Sequence, residues 1–137
     1  MSLQLDIVTP EKKIFSGPVD NVYLPGVDGE LGILPQHAGL VTALQPGELR
    51  YQFQNTSGTF AIGSGFAEVT QTKVIVLTDS ALGEAEIDEA QVEDAIKRAQ
   101  EKLSTIDHNL DSEEVAYLQG VISRSSAALN FKRKYRH

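Results

Sequence analysis

The 137-residue chain contains no cysteine. That absence excludes a disulfide framework, a thiolate metal site, an iron–sulfur cluster and a cysteine nucleophile. Long apolar runs are missing too: Val74-Ile75-Val76-Leu77 is typical of those present, whereas a membrane-spanning helix needs roughly 20 residues. The opening Met1-Ser2-Leu3-Gln4-Leu5-Asp6 lacks the basic start and apolar stretch of a secretory signal, so the product is expected to stay in the compartment where it is made. Basic charge is scarce. Twelve Lys and Arg stand against 19 Asp and Glu, a formal net charge of −7. Binding to nucleic acid relies on lysine and arginine displacing counterions from phosphates, and an acidic chain is badly suited to it.

Catalytic motifs are equally scarce. The three histidines, His37, His108 and His137, fall into no metal-ligand spacing. His108 falls in an expected helix turn and His137 is the last residue, so both should be solvated. His37 follows Leu34-Pro35-Gln36 in a loop or strand edge, with no serine or acid marked out as its partner. Gly63-Ser64-Gly65 lacks the lysine of a phosphate loop and reads as a tight turn or bulge. Without a nucleophile–base set, an enzyme is the weakest reading, and no metal or catalytic residue is assigned.

What the sequence does contain is a change of period near residue 86. Residues 1–86 carry four basic and ten acidic residues (net −6), most of the glycines and all five prolines; residues 87–137 carry eight basic and nine acidic residues (net −1). In the first part apolar residues alternate: Leu3, Leu5, Ile7; Val19, Val22, Leu24; Leu49, Tyr51, Phe53; Phe60, Ile62; Ala67, Val69. Period two marks a strand with one buried face. Turn signals such as Pro25-Gly26-Val27-Asp28-Gly29, Pro46-Gly47 and Gly63-Ser64-Gly65 separate the runs. Short strands with turns every ~8–12 residues predict an antiparallel β-sandwich or barrel over 1–86, and that length suffices for the two small facing sheets of a sandwich.

The second part, 87–137, is spaced as helix. Asp88 followed by Gln91 has the form of a capping box, and Val92, Ile96, Ala99, Leu103 and Ile106 recur at three or four residues. Asp111 with Glu114 repeats the start signal, ahead of Val115, Leu118, Ile122, Ser125 and Leu129. The short join Asp107-His108-Asn109-Leu110 predicts an antiparallel helical hairpin. Alanine and serine are frequent on both helices. Small side chains bury little area, and at ~25 cal/mol per Å² the hairpin is expected to be the less stable part. Its basic end, Lys132-Arg133-Lys134-Tyr135-Arg136, fits either a helix C-terminus or a docking patch for an acidic protein surface. Composition and motifs alone thus describe an acidic sandwich with a detachable hairpin, an interaction protein.

The stretch Gly29-Glu30-Leu31-Gly32-Ile33-Leu34-Pro35-Gln36-His37-Ala38-Gly39-Leu40 goes further. It resembles the G-E-L-G-I-L-P-G-H-A-P-L signature of the ε-subunit family of F-type ATP synthases, with Gln36 and Gly39 where glycine and proline are usual. Supporting pieces follow in family order: Val8-Thr9-Pro10-Glu11-Lys12, Leu44-Gln45-Pro46-Gly47-Glu48-Leu49-Arg50, Gly63-Ser64-Gly65-Phe66-Ala67-Glu68-Val69 and Val74-Ile75-Val76-Leu77-Thr78-Asp79. The resemblance implies a sandwich of about ten strands, a helix pair, and a non-catalytic rotor role. In that role the sandwich joins the γ subunit and the membrane c-ring, and rotation driven by ion flow reaches the αβ catalytic head. Glu30 and His37 match family positions that contact γ or the c-ring.

By the same resemblance the hairpin is regulatory: folded down it lies on the sandwich, and extended along γ it inhibits ATP hydrolysis. Residues 88–134, fully helical at ~1.5 Å each, would span roughly 70 Å. Lys132, Arg133, Lys134 and Arg136 would then meet acidic patches on the catalytic subunits. Some family members bind ATP on the folded hairpin through an I/L-D-x-x-R-A motif. Here Asp88 is kept, Gln91 and Val92 replace the arginine and alanine, and Arg98 and Arg124 remain available for phosphate. Losing one charge-assisted contact of ~1.5–3 kcal/mol implies weak ATP binding or none, and no other cofactor is expected. The rival expectations are a switch set by ATP itself and a coupling subunit whose hairpin does not inhibit. Lack of a transit segment points to a bacterial complex, with the chain peripheral on the cytoplasmic face of the inner membrane.

Overall fold

A computed structural model describes residues 3–83, 86–106 and 112–135. Its strands are β1 (Leu3–Val8), β2 (Lys13–Val19), β3 (Asn21–Gly26), β4 (Gly29–Ile33), β5 (Leu40–Leu44), β6 (Gly47–Phe53), β7 (Thr56–Ile62), β8 (Gly65–Val69), β9 (Lys73–Thr78) and β10 (Ala81–Leu82), followed by helices α1 (Glu89–Thr105) and α2 (Ser112–Tyr135). The expected sandwich and helix pair are both present. Strands hydrogen-bond in the order β10-β7-β6-β3-β5-β8-β9-β1-β2, with β4 paired to β3, and the sheet curls until its two halves face each other.

The alternating residues do what their period predicts. Leu3, Leu5, Ile7, Val22, Leu24, Leu49, Ile62, Ala67, Val69, Val74 and Val76 all point into one core. Where β2 closes against β6 and β7, Phe15, Tyr51 and Phe60 fill the gap with ring centroids 4.7–6.3 Å apart. One pairing departs from the antiparallel expectation. β1 runs parallel to β9, Gln4 opposite Lys73 through Val8 opposite Leu77. A strand's direction is dictated by a hairpin only on the side where its sequence neighbour lies. β1 forms its hairpin with β2, which leaves its other edge open to a distant strand of either sense.

α1 starts where the capping pattern places it: the Asp88 carboxylate accepts from the Gln91 backbone N–H at 3.1 Å. Val92, Ile96, Ala99 and Leu103 lie on its shielded face, while Ile106, in the expected series, is the half-buried, extended residue just past the helix end. The helices are antiparallel, because Lys102 pairs with Glu114 at one end and Arg133 with Glu93 at the other. The turn at 107–110 with His108, the Asp111 start signal, Arg136 and His137 lie outside the described residues. α2 carries a face the sequence pattern did not anticipate. Besides Leu118 and Leu129, it buries Ala128 and Phe131 against Ala61 and Ile87, flanked by Leu82 and Val92. That second stripe seats the hairpin on the sandwich.

On the outer surface of β1, the buried Asp6 carboxylate accepts from the Ser16 hydroxyl at 2.7 Å and from Gln4 at 3.1 Å, with Lys73 Nζ at 3.3 Å. The Ser16 hydrogen bond leads in holding this carboxyl below its ordinary value, opposed by burial and helped by Gln4 and Lys73. A carboxyl whose folded value lies below its unfolded one (about 3.9) stabilises the fold above that pH. The contribution is lost as pH falls through the depressed folded value. Asp6→Asn is therefore expected to cost about 1–3 kcal/mol at pH 7. Urea unfolding at pH 7 and again well below pH 4 checks this: the gap between wild type and variant should close in acid.

Candidate docking faces and the hairpin latch

Because inward positions on β1, β5, β8 and β9 fill the core, their outward positions can be read from the register. Ala43 lies opposite Phe66, Phe66 opposite Leu77, and Leu77 beside Val8, so one row crosses four strands with apolar side chains only. Phe66 is 58 % exposed and Leu77 52 %; Val41, one row away, is 71 % exposed. Val27, also exposed, extends the row, its N–H donating to the Ala43 carbonyl. Beside Leu77 an apolar groove of about 380 Å³ runs between Val8, Pro10, Gly65 and Thr78. An exposed, contiguous apolar row with an aromatic at its centre is a protein-docking feature. Sequence reasoning missed it, although the unbroken run Val74–Leu77 is its signal: a strand with one wet face should alternate.

Glu30 and His37 are both on the surface and do not meet. Glu30 sits next to the β3–β4 turn, where Gly29 takes a φ of +129°, and both its carboxylate oxygens accept from Arg50 Nη2 at 2.9 Å. His37 lies in the β4–β5 loop, its Nδ1 donating to the Ala38 carbonyl at 2.7 Å. That loop is tied to the β8–β9 turn by the Gln36 N–H on the Gln71 carbonyl. The two residues therefore mark opposite ends of β5. Gln36 adopts a φ of +69°, a left-handed conformation that glycine accepts without steric cost, so the glycine usual at this signature position has a conformational cause.

The hairpin is closed on the sandwich. Phe131 is its apolar anchor, and ion pairs surround it: Lys134 Nζ to Glu48 at 2.9 Å, Arg124 to Asp79 at 3.5 Å, and Arg133 to Glu93 between the helices. Lys132 is half-buried on the same turn. The residues considered for ATP are not gathered by any contact among the described residues. Asp88 is engaged as the α1 cap, exposed Arg98 pairs with Asp94 one turn away, and Arg124 pairs with Asp79 beside a cavity of about 130 Å³. Small-molecule sites usually offer ~300–1,000 Å³.

The family described as "ATP synthase, Delta/Epsilon chain, beta-sandwich domain" matches residues 2–84. An ATP synthase epsilon chain from Desulforamulus reducens is 44% identical over 127 residues, 91% of this chain and 96% of that one. The chain belongs to the ATP synthase epsilon-chain family. A Dehalococcoides mccartyi epsilon chain is 46% identical over 102 residues, 74% of this chain and 73% of its own. Two solved structures share the fold. A chain of the Euglena gracilis mitochondrial ATP synthase (OSCP/F1/c-ring) superposes with a TM-score of 0.75 at 24% identity, covering 93% of this chain and 81% of that chain. One in the central stalk/c-ring of the Tetrahymena thermophila enzyme gives 0.60 at 17% identity, covering 94% and 97%. Family membership places the chain among ATP synthase subunits and not among free-standing enzymes.

Isothermal titration of the full chain with Mg-ATP is expected to give no binding in the micromolar range. Restoring the motif arginine with Gln91→Arg should tighten any residual affinity by about one to two decades.

Proposed function

We propose that this chain is a non-catalytic rotor subunit of an F-type ATP synthase, coupling transmembrane ion flow to ATP synthesis by joining γ to the c-ring. The observation that carries the reading is a family match that runs through the hairpin as well as the sandwich. The geometry supplies a surface for each partner. γ covers the apolar row of Ala43, Phe66, Leu77 and Val8, which a lone subunit leaves in water. Glu30 and His37, at opposite ends of one strand, let the sandwich touch γ and the c-ring together. Attachment to the membrane runs through the complex; no helix among the described residues is long and apolar enough to cross a membrane. With bacterial relatives, the site of action is the cytoplasmic face of the inner membrane.

The hairpin is the regulatory part. Closed, it spends Arg133 and Lys134 on Glu93 and Glu48. Extended along γ, those cations, with Lys132 and Arg136, face acidic patches on the catalytic head and hold back ATP hydrolysis. The dispersed placement of Asp88, Arg98 and Arg124 favours this reading over a switch set by ATP.

Two measurements test the two surfaces separately. Removing residues 110–137 should raise ATP hydrolysis in the assembled enzyme, and an unchanged rate refutes inhibition. Phe66→Glu should leave thermal stability nearly unaltered, since the ring is solvated, yet weaken capture of γ by about 30-fold or more, as expected of a central interface residue.

A further inference from the structure

We propose that the surface around Glu30 and the closed position of the hairpin are coupled through a line of alternating charges, Lys134–Glu48–Arg50–Glu30, so that a cation arriving at Glu30 loosens the hairpin. Lys134 Nζ lies 2.9 Å from Glu48 Oε2. Glu48 Oε1 is 3.8 Å from Arg50 Nε, and Arg50 Nη2 is 2.9 Å from both oxygens of Glu30. Arg50 is steadied by the Tyr23 ring, 4.9 Å from its guanidinium carbon. The hairpin's last turn is thereby connected to the β3–β4 turn across two strands.

The asymmetry of these distances gives the line its direction. Arg50 sits closer to Glu30 than to Glu48, which leaves Glu48 oriented toward Lys134. Glu48 is also the most sheltered member, its side chain 19 % exposed, so charges beside it are screened least. If an incoming cation draws Glu30 away, Arg50 turns to its second carboxylate. Glu48 is then shared between two cations that repel each other, and its hold on Lys134 weakens. Lys134 lies one turn beyond Phe131, so the loosening begins next to the anchor that seats α2. By reciprocity, an open hairpin takes Lys134 away from Glu48, draws Arg50 toward that carboxylate and leaves Glu30 more available to a basic partner. The part played by an arriving partner rests on the reading of Glu30 as a rotor contact; the coupling within the chain does not.

The test uses the isolated full-length chain and hydrogen exchange of backbone amides in residues 124–134, at low salt. Glu30→Gln, which removes the carboxylate charge that holds Arg50, should speed exchange there by about two- to five-fold, the range of one exposed ion pair. Amides of β9 should be unchanged, which distinguishes hairpin opening from unfolding. The effect should vanish in an Arg50→Gln background and in a Lys134→Gln background, and shrink in high salt. No change on Glu30→Gln, or an equal change without Arg50, overturns the coupling. Either outcome is independent of the hydrolysis assay on the hairpin deletion, so the two proposals fail separately.

Discussion

Side chains on a strand can point only two ways, and this chain uses both directions for separate ends. Inward positions supply, among the described residues, fifteen buried residues of a single core. With that core filled, nothing inside demands that Phe66, Leu77 and Val41 be apolar, and on the outside they stay in water. Their cost is offset only when a partner covers them. The same pleat sets Asp6 in the outer row beside Ile75, where its satisfied carboxylate ties β1, β2 and β9 together from the surface.

The hairpin rests on much less. Among the described residues, the cluster that joins it to the sandwich has four buried members, Ala61, Ile87, Ala128 and Phe131. Only Phe131 among them is a large side chain packed from α2, and burying one such side chain stabilises by ~1.5–3 kcal/mol. The surrounding exposed ion pairs add ~0.2–1 kcal/mol each. A hold of a few kcal/mol is of the size that a competing partner would have to overcome for the proposed opening.

Much of this architecture is legible in the amino-acid order. Leu3, Leu5 and Ile7, or Ala67 and Val69, announce their strands because excluding water from one side enforces alternation. Asp88 and Gln91 mark a helix start because the cap is a local bond. The face of α1 is equally plain. α2 is not: it packs on α1 along one stripe and on the sandwich along another, so its apolar residues spread around the helix and blur the period. Nor could any local pattern pair Lys134 with Glu48, 86 residues earlier. The outward apolar row was half visible, in the lack of alternation at Val74–Leu77. The resemblance supplied Glu30 and His37 as positions, but only the fold separates them to opposite ends of β5.

The parallel pairing of β1 with β9 also bears on how the molecule is made. Gln4 must find Lys73, a partner that leaves the ribosome after about 70 further residues, roughly 4–15 s at ordinary rates of synthesis. During that interval β1 has only β2, and an isolated two-stranded ribbon is marginal in water. Its apolar side, Leu3, Leu5 and Ile7, waits uncovered. The nascent chain thus passes through a sticky interval that ends when β9 emerges and the sheet can close.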